Sequence, residues 1–147
     1  MADEGLVQQV AGELAIRNLI ARLAQLADDG DLDEYIQLFT DDARWDAGAA
    51  FGCRTGHDEI RAGAVERRAS GTAGPGTHTR HVITTSVVSA QGDSGTGRSV
   101  FHFYRKTDGV PELALIGIYE DAFERTERGW CLAHRKIVGA RQPDAAR

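Results

Sequence analysis

LVQQVAGELAIRNLIARLAQLADD, residues 6–29, sets the frame for the rest of the chain. At about 100° per residue, Ile16, Leu19, Ile20, Leu23, Leu26 and Ala27 gather in one apolar sector of a helix. Leu6, Val10, Leu14, Ala21 and Ala24 fill the neighbouring sector, which leaves a narrow polar strip of Asn18, Arg22, Gln25 and Asp29. A helix apolar over so much of its circumference is expected to be covered on most sides. Gly30 stops it.

Asp31 then caps a second, short helix, with Glu34 three residues on as in a capping box. Leu32, Tyr35, Ile36 and Phe39 supply its buried stripe. Residues 40–42 break it, and residues 43–51 read as extended. Residues 57–69 form a third helix, weakly amphipathic through Ile60 and Ala64. SGTAGPG, residues 70–76, is too rich in glycine for regular structure. Beyond it the chain alternates like strands over residues 77–90, 98–106, 113–126 and 130–138, with turns at QGDSGTG, TDGVPE and TERG. Residues 140–147, with Pro143, read as a loose tail behind one domain whose core is residues 6–139. Helices first and long strands afterwards is an α+β order. Strands this long bend to stay packed, and a strongly curved mixed or antiparallel sheet around a long helix leaves a conical cavity, the first sign of a small-molecule site.

Composition narrows the function classes. The chain has 147 residues, 41% of them hydrophobic and 7% aromatic, with a net charge of −5. That length suits one domain with a sizeable core built from Leu, Ile, Val and Ala. No apolar run reaches a membrane span, and residues 1–9 lack the basic start and apolar centre of a signal peptide. The acidic balance excludes a bulk nucleic-acid binder, which needs a basic face. Cys53 and Cys131 lie outside any metal spacing and read as free thiols in a reducing cytoplasm. There is no phosphate-binding loop, nucleophile elbow or zinc cluster.

Few side chains remain to carry chemistry. Asp29 falls in the polar strip of the first helix. Asp28 falls beside Ala21 and Ala24, at the negative end of the helix dipole and against small buried residues. A carboxylate there suits a general base or the partner of a catalytic histidine, although a solvated helix end in the acidic run DDGDLDE has the same sequence. In THTRHVITTSVV, alternation puts Thr79, His81, Ile83 and Thr85 on one face and His78, Arg80, Val82 and Thr84 on the other. His78 and His81 therefore cannot chelate one metal from a regular strand, and His81 is either a proton-transfer group or a hydrogen-bonded structural histidine. Tyr119 and Asp121 share a face with Phe123, which points Tyr119 inward. Arg135 alternates with Cys131, Ala133 and Ile137, and on such an apolar face it needs an internal carboxylate or an anionic ligand. His102 shares its face with Val100 and Tyr104. Trp45 and His102 complete the candidate substrate contacts.

Four patches in order, IRNLIARLAQLADDGDLDEYIQLFTDDARWD, GHDEI, TRHVITTSVV and GIYEDAFERTERGWCLAHRKI, resemble the SnoaL-like branch of the nuclear transport factor 2-like superfamily. The likeness runs from about Leu14 to Val138. It implies a cone-shaped α+β barrel with a deep pocket. Within the branch the chain looks most like scytalone dehydratases, bile-acid 7α-dehydratases and hexachlorocyclohexane dehydrochlorinases, which pair an Asp near the end of the first helix with a His on the first long strand. Asp28 and His81 match those positions, Tyr119 matches a pocket amide, and Arg135 matches a pocket arginine. Ala27 and Ala47 stand where the fungal dehydratases carry tyrosines that hold the catalytic water. Leu23 stands where the dehydrochlorinases carry a basic residue.

What the resemblance implies is a cofactor-independent lyase, with no metal, acting on a small hydrophobic and cyclic substrate through the Asp28–His81 pair. Isomerisation or polyketide cyclisation in the same pocket is the first alternative, and a non-catalytic binding or dimerisation module is the second. A homo-oligomer, dimer or trimer, is expected to cover the outer face of the sheet, with Val87, Val88, Phe101 and Phe103 as candidates for that surface.

Overall fold

The computed structural model describes residues 3–139. The tail expected over residues 140–147 lies outside them. Helix α1, Glu4–Asp29, starts at Asp3, whose carboxylate accepts the Gly5 N–H at 3.0 Å. Helix α2, Leu32–Gln37, is capped by Asp31, which accepts from both Asp33 and Glu34 backbone N–H groups. Glu34 does not close the capping box; its carboxylate pairs with Arg22 of α1 instead.

Strand β1, Phe39–Asp46, is followed by one helical turn, α3, Gly48–Phe51, and by the short strand β2, Cys53–Thr55. The expected extended run over residues 43–51 is therefore wrong at both ends. Phe39 opens the strand, and Gly48 (φ +72°) and Gly52 (φ +77°) let the backbone turn into and out of α3. Helix α4, Gly56–Ala69, precedes four long strands: β3, Arg80–Gln91; β4, Ser94–Arg105; β5, Glu112–Thr126; and β6, Gly129–Gly139. β3 starts three residues later than the alternation suggests, because His78 takes a left-handed φ of +55°. The QGDSGTG break shrinks to the two-residue turn Gly92–Asp93, and Ser94 to Gly97 already belong to β4.

The six strands form one mixed sheet in the order β2-β1-β6-β5-β4-β3, parallel only between β1 and β6. Register shifts in the β1–β6, β3–β4, β4–β5 and β5–β6 pairings let the sheet bend around α1, which touches β3, β4 and β6. Ile16, Leu23, Phe39, Phe123 and Leu132, each at most 1% exposed, fill the space between helix and sheet. At Gly95 a β-carbon would lie 2.5 Å from Ile16 Cδ1, so the glycine sets how closely α1 approaches β4. Gly30 ends α1 for a similar reason and in an extended conformation: a β-carbon there would lie 2.3 Å from Leu26 Cδ2.

Three expectations about faces change. Leu6, Val7, Val10 and Leu14 on α1 are each more than half exposed, so only the C-terminal part of the helix is enclosed. The β3 register slips between Ile83 and Thr85, which turns Thr85 outward and Ser86, Val88 and Ala90 inward. Phe101 (3% exposed) and Val88 (9%) are interior residues, whereas Val87 is exposed.

Candidate functional site

The C-terminal end of α1 and the start of β3 meet at Asp28 and His81. Asp28 is 1% exposed. Its Oδ2 accepts the His81 backbone N–H at 2.8 Å, and its Oδ1 lies 2.7 Å from His81 Nδ1. An ionised carboxylate only accepts, so Nδ1 carries the ring proton and Nε2 is left as a base. Nε2 has no hydrogen-bond partner among the described residues. Asp29, the neighbour on the polar strip, points outward and pairs with Arg80 at 2.6 Å. The angular separation of the two aspartates read from the helix period is thus what the fold uses.

His81 borders a cavity of about 150 Å³, room for at least one aromatic ring. Its walls come from Leu23, Ala24 and Ala27 of α1, Tyr35 of α2, Trp45 of β1, Ala64 of α4, Phe101 and Phe103 of β4, and Tyr119 and Arg135 of β5 and β6. Ala27 and Ala47 do line it, so the space that tyrosines would take is free. The His81 ring lies 4.6 Å, centroid to centroid, from Phe103, which fixes its tilt.

Tyr119 and Arg135 are both interior. The Arg135 guanidinium makes a two-pronged ion pair with Asp121, Nε to Oδ1 and Nη2 to Oδ2, each 2.8 Å. Of the two partners its sequence position allowed, the internal carboxylate is the one present. The guanidinium also lies 3.7 Å from the centre of the Tyr119 ring, whose other neighbour is Phe101, stacked at 4.2 Å and 13°. Gly117, opposite Phe101, makes room for that ring, since a β-carbon there would sit 2.5 Å from it. Among the described residues no group hydrogen-bonds the Tyr119 hydroxyl.

Burial pushes the Tyr119 hydroxyl well above its ordinary pKa of 10.0, against the lowering pull of the Arg135 charge. Burial also works against the Arg135 cation, but the charge and hydrogen bonds of Asp121 outweigh it and leave its pKa raised. Tyr119 therefore stays neutral in the fold at a pH where an unfolded tyrosine ionises. Its stabilising contribution is complete below about pH 10 and is lost as pH rises beyond it. Thermal unfolding between pH 9 and 11 should show a falling Tm, with a shallower fall in Tyr119→Phe; equal slopes would contradict this.

His102 was expected among the substrate contacts and lies outside the cavity wall. It sits on the outer face of β4, paired with Val82 and Ile116 of the neighbouring strands and 3.2 Å from the Tyr104 hydroxyl. The parity of β4 was assigned the wrong way round. Gly95, Gly97 and Ser99 face α1, so Phe101 and Phe103 face it too, and the histidine between them faces out. Trp45 lines the cavity, with the Arg67 guanidinium 4.8 Å over its ring. Tyr35 and Arg67 also line the cavity and were not among the candidates: Tyr35 reads as part of the α2 core stripe, and Arg67 as one of several charged residues on α4. Among the described residues no group of three or more His, Cys, Asp or Glu side chains could hold a metal, and no helix is long and apolar enough to cross a membrane.

A long helix held in a curved six-stranded sheet, with a cavity at the helix end, defines the nuclear transport factor 2-like class. The SnoaL-like domain profile matches residues 8–136, and the chain belongs to that family. Solved structures agree on the fold. An NTF2-like protein with a cystatin-like fold from Novosphingobium aromaticivorans superposes with a TM-score of 0.78 at 25% identity, covering 93% of this chain and 87% of that one. A cystatin-like protein of unknown function from Nostoc punctiforme gives 0.76 at 21% identity, covering 89% and 91%. ActVI-ORFA from Streptomyces coelicolor gives 0.71 at 18%, covering 86% and 96%. No curated protein matches the chain in sequence.

Proposed function

We propose that this protein is a cofactor-independent lyase that eliminates water or another small leaving group from a hydrophobic, ring-bearing substrate. The observation that carries the reading is the buried Asp28 carboxylate bonded to His81 Nδ1, with the opposite ring nitrogen left to an apolar cavity. In this reading His81 Nε2 takes a proton from the carbon beside an activating carbonyl, and the enolate so formed expels the β-leaving group, a hydroxyl departing as water with the proton that His81 returns to it. Asp28 holds the ring tautomer and stabilises the imidazolium that forms. The neutral Tyr119 hydroxyl donates to the developing oxyanion, and Arg135, engaged by Asp121, acts through Tyr119 by fixing its ring from one side. Trp45 packs against the substrate ring.

Incubation with one- and two-ring β-hydroxy ketones, followed by mass spectrometry, tests the reaction class. Loss of water supports the lyase. A product of unchanged mass would instead assign isomerisation or cyclisation to the same base, and no turnover of any such compound would favour a binding module.

Assembly into a dimer or trimer belongs to the same proposal. The exposed apolar residues support it: Leu6, Val10 and Leu14 on α1, and Val82, Val87 and Ile116 on the outer face of the sheet. Sedimentation equilibrium showing a monomer at micromolar concentration would refute it.

A further inference from the structure

The cavity wall contains three arginines and no carboxylate of its own. Two of the three are engaged elsewhere. Arg135 is held by Asp121. Arg68 donates to the carbonyl oxygens of Leu26 and Gly30 at 3.1 and 2.8 Å, closing the C-terminal end of α1 behind Asp28. Arg67 differs. It is half-buried, stacks on Trp45, and has neither an ion pair nor a side-chain hydrogen bond among the described residues. The nearby acid, Glu66, is bonded to Arg54 at 2.7 Å. Arg54 in turn shares the surface over Gly63 with Arg67: a β-carbon on Gly63 would lie 3.3 Å from Arg54 Nε and 3.2 Å from Arg67 Nη1. With Arg54 neutralised by Glu66, Arg67 is left as the cavity wall's arginine without a carboxylate or carbonyl partner among the described residues.

Position along the cavity separates Arg67 from the Asp28–His81 pair. Thr72, whose backbone N–H bonds the Arg67 carbonyl oxygen at 2.9 Å, is exposed and also lines the cavity, so this is the open end. Leu23, Phe101 and Tyr119, all nearly inaccessible, form the closed end. A partly desolvated guanidinium with a flat aromatic under it and free N–H donors is suited to a planar carboxylate.

We infer that Arg67 is an anion-binding residue at the cavity mouth, and that the ligand of this cavity is a ring-bearing carboxylic acid whose ring enters toward Tyr119 while its carboxylate stays on Arg67. The inference rests on the cavity being the substrate site proposed above, and it names the substrate class.

Calorimetric titration with cinnamate and naphthoate against their primary amides tests it without any turnover. The wild-type protein should bind each acid about tenfold or more tightly than its amide, the range of one charge-assisted hydrogen-bonded contact. The preference should weaken as salt is added. Arg67→Gln should erase the preference without changing the affinity for the amides, and Arg67→Lys should restore part of it. His81→Ala should keep the preference in full, so a failure of the elimination chemistry is distinguishable from a failure of the anion site. Equal binding of acid and amide by the wild-type protein overturns the inference, as does no binding of either acid at millimolar concentration. An Arg67→Gln variant that loses acid and amide alike also overturns it, and would leave Arg67 as a packing partner of Trp45.

Discussion

Replacing His81 by alanine is expected to cut turnover by about a hundredfold to ten-thousandfold, the contribution of a positioned general base, while the protein still folds. The fold survives because Asp28 keeps the bond from the residue 81 backbone N–H, which no side-chain change removes. Asp28→Asn is the more informative partner. Asp28 accepts two bonds, one on each oxygen, and an asparagine has only one acceptor oxygen. Its NH₂ must then face either the backbone N–H or the imidazole. Facing the imidazole, it forces Nδ1 to accept and moves the ring proton to Nε2, the nitrogen that has to act as base. The loss in Asp28→Asn should approach that of His81→Ala, and the low-field proton NMR signal of an Nδ1–H bonded to a carboxylate should be present in wild type and absent from the variant. Near-wild-type turnover in His81→Ala, measured on any substrate the protein converts, would remove the base assignment.

How much of this was legible in the sequence follows from what each feature depends on. The long helix, its Gly30 stop and the separation of Asp28 from Asp29 rest on a helical period, which local sequence states directly. The inward side of β5 was also readable, because Tyr119, Asp121 and Phe123 oppose Glu120 and Glu124 on a strand whose own alternation is unbroken there, the extra residue of the β5–β6 register shift, Ala133, lying in β6. β4 was not. Its Phe-His-Phe run is apolar on one parity and ambiguous on the other, and the deciding clue is the pair of glycines at its start, which matter only once α1 is known to lie against them. Thr85 was misplaced because the register shift after Ile83 is set by pairing with β4. Arg67 was invisible for a different reason. A charged residue on an amphipathic helix reads as solvated, and nothing local says that Trp45, more than twenty positions earlier, will lie beneath it.

The second large effect is on stability and lies at the closed end of the cavity. Asp121 and Arg135 have side chains 0% and 7% exposed, with both forks satisfied. Such a pair adds little over well-packed apolar residues, because removing two charges from water offsets most of their attraction. Removing one partner is different, since the other is left as an uncompensated buried charge. Arg135→Met is therefore expected to cost about 3–5 kcal/mol, a fall in Tm on the order of 10 °C for a domain of this size. The double variant Arg135→Met/Asp121→Leu should recover most of that loss, which thermal denaturation of the two proteins side by side would show. Recovery of stability need not bring recovery of the site. Tyr119 lies between Phe101 and the Arg135 guanidinium, and in the double variant the cationic side of that sandwich is gone. A protein that is stable again but whose turnover remains depressed, in kcat more than in KM, would show that the ion pair is kept to position the tyrosine. Full recovery of both would mean that the pair serves the fold alone and that Tyr119 needs no charge behind it.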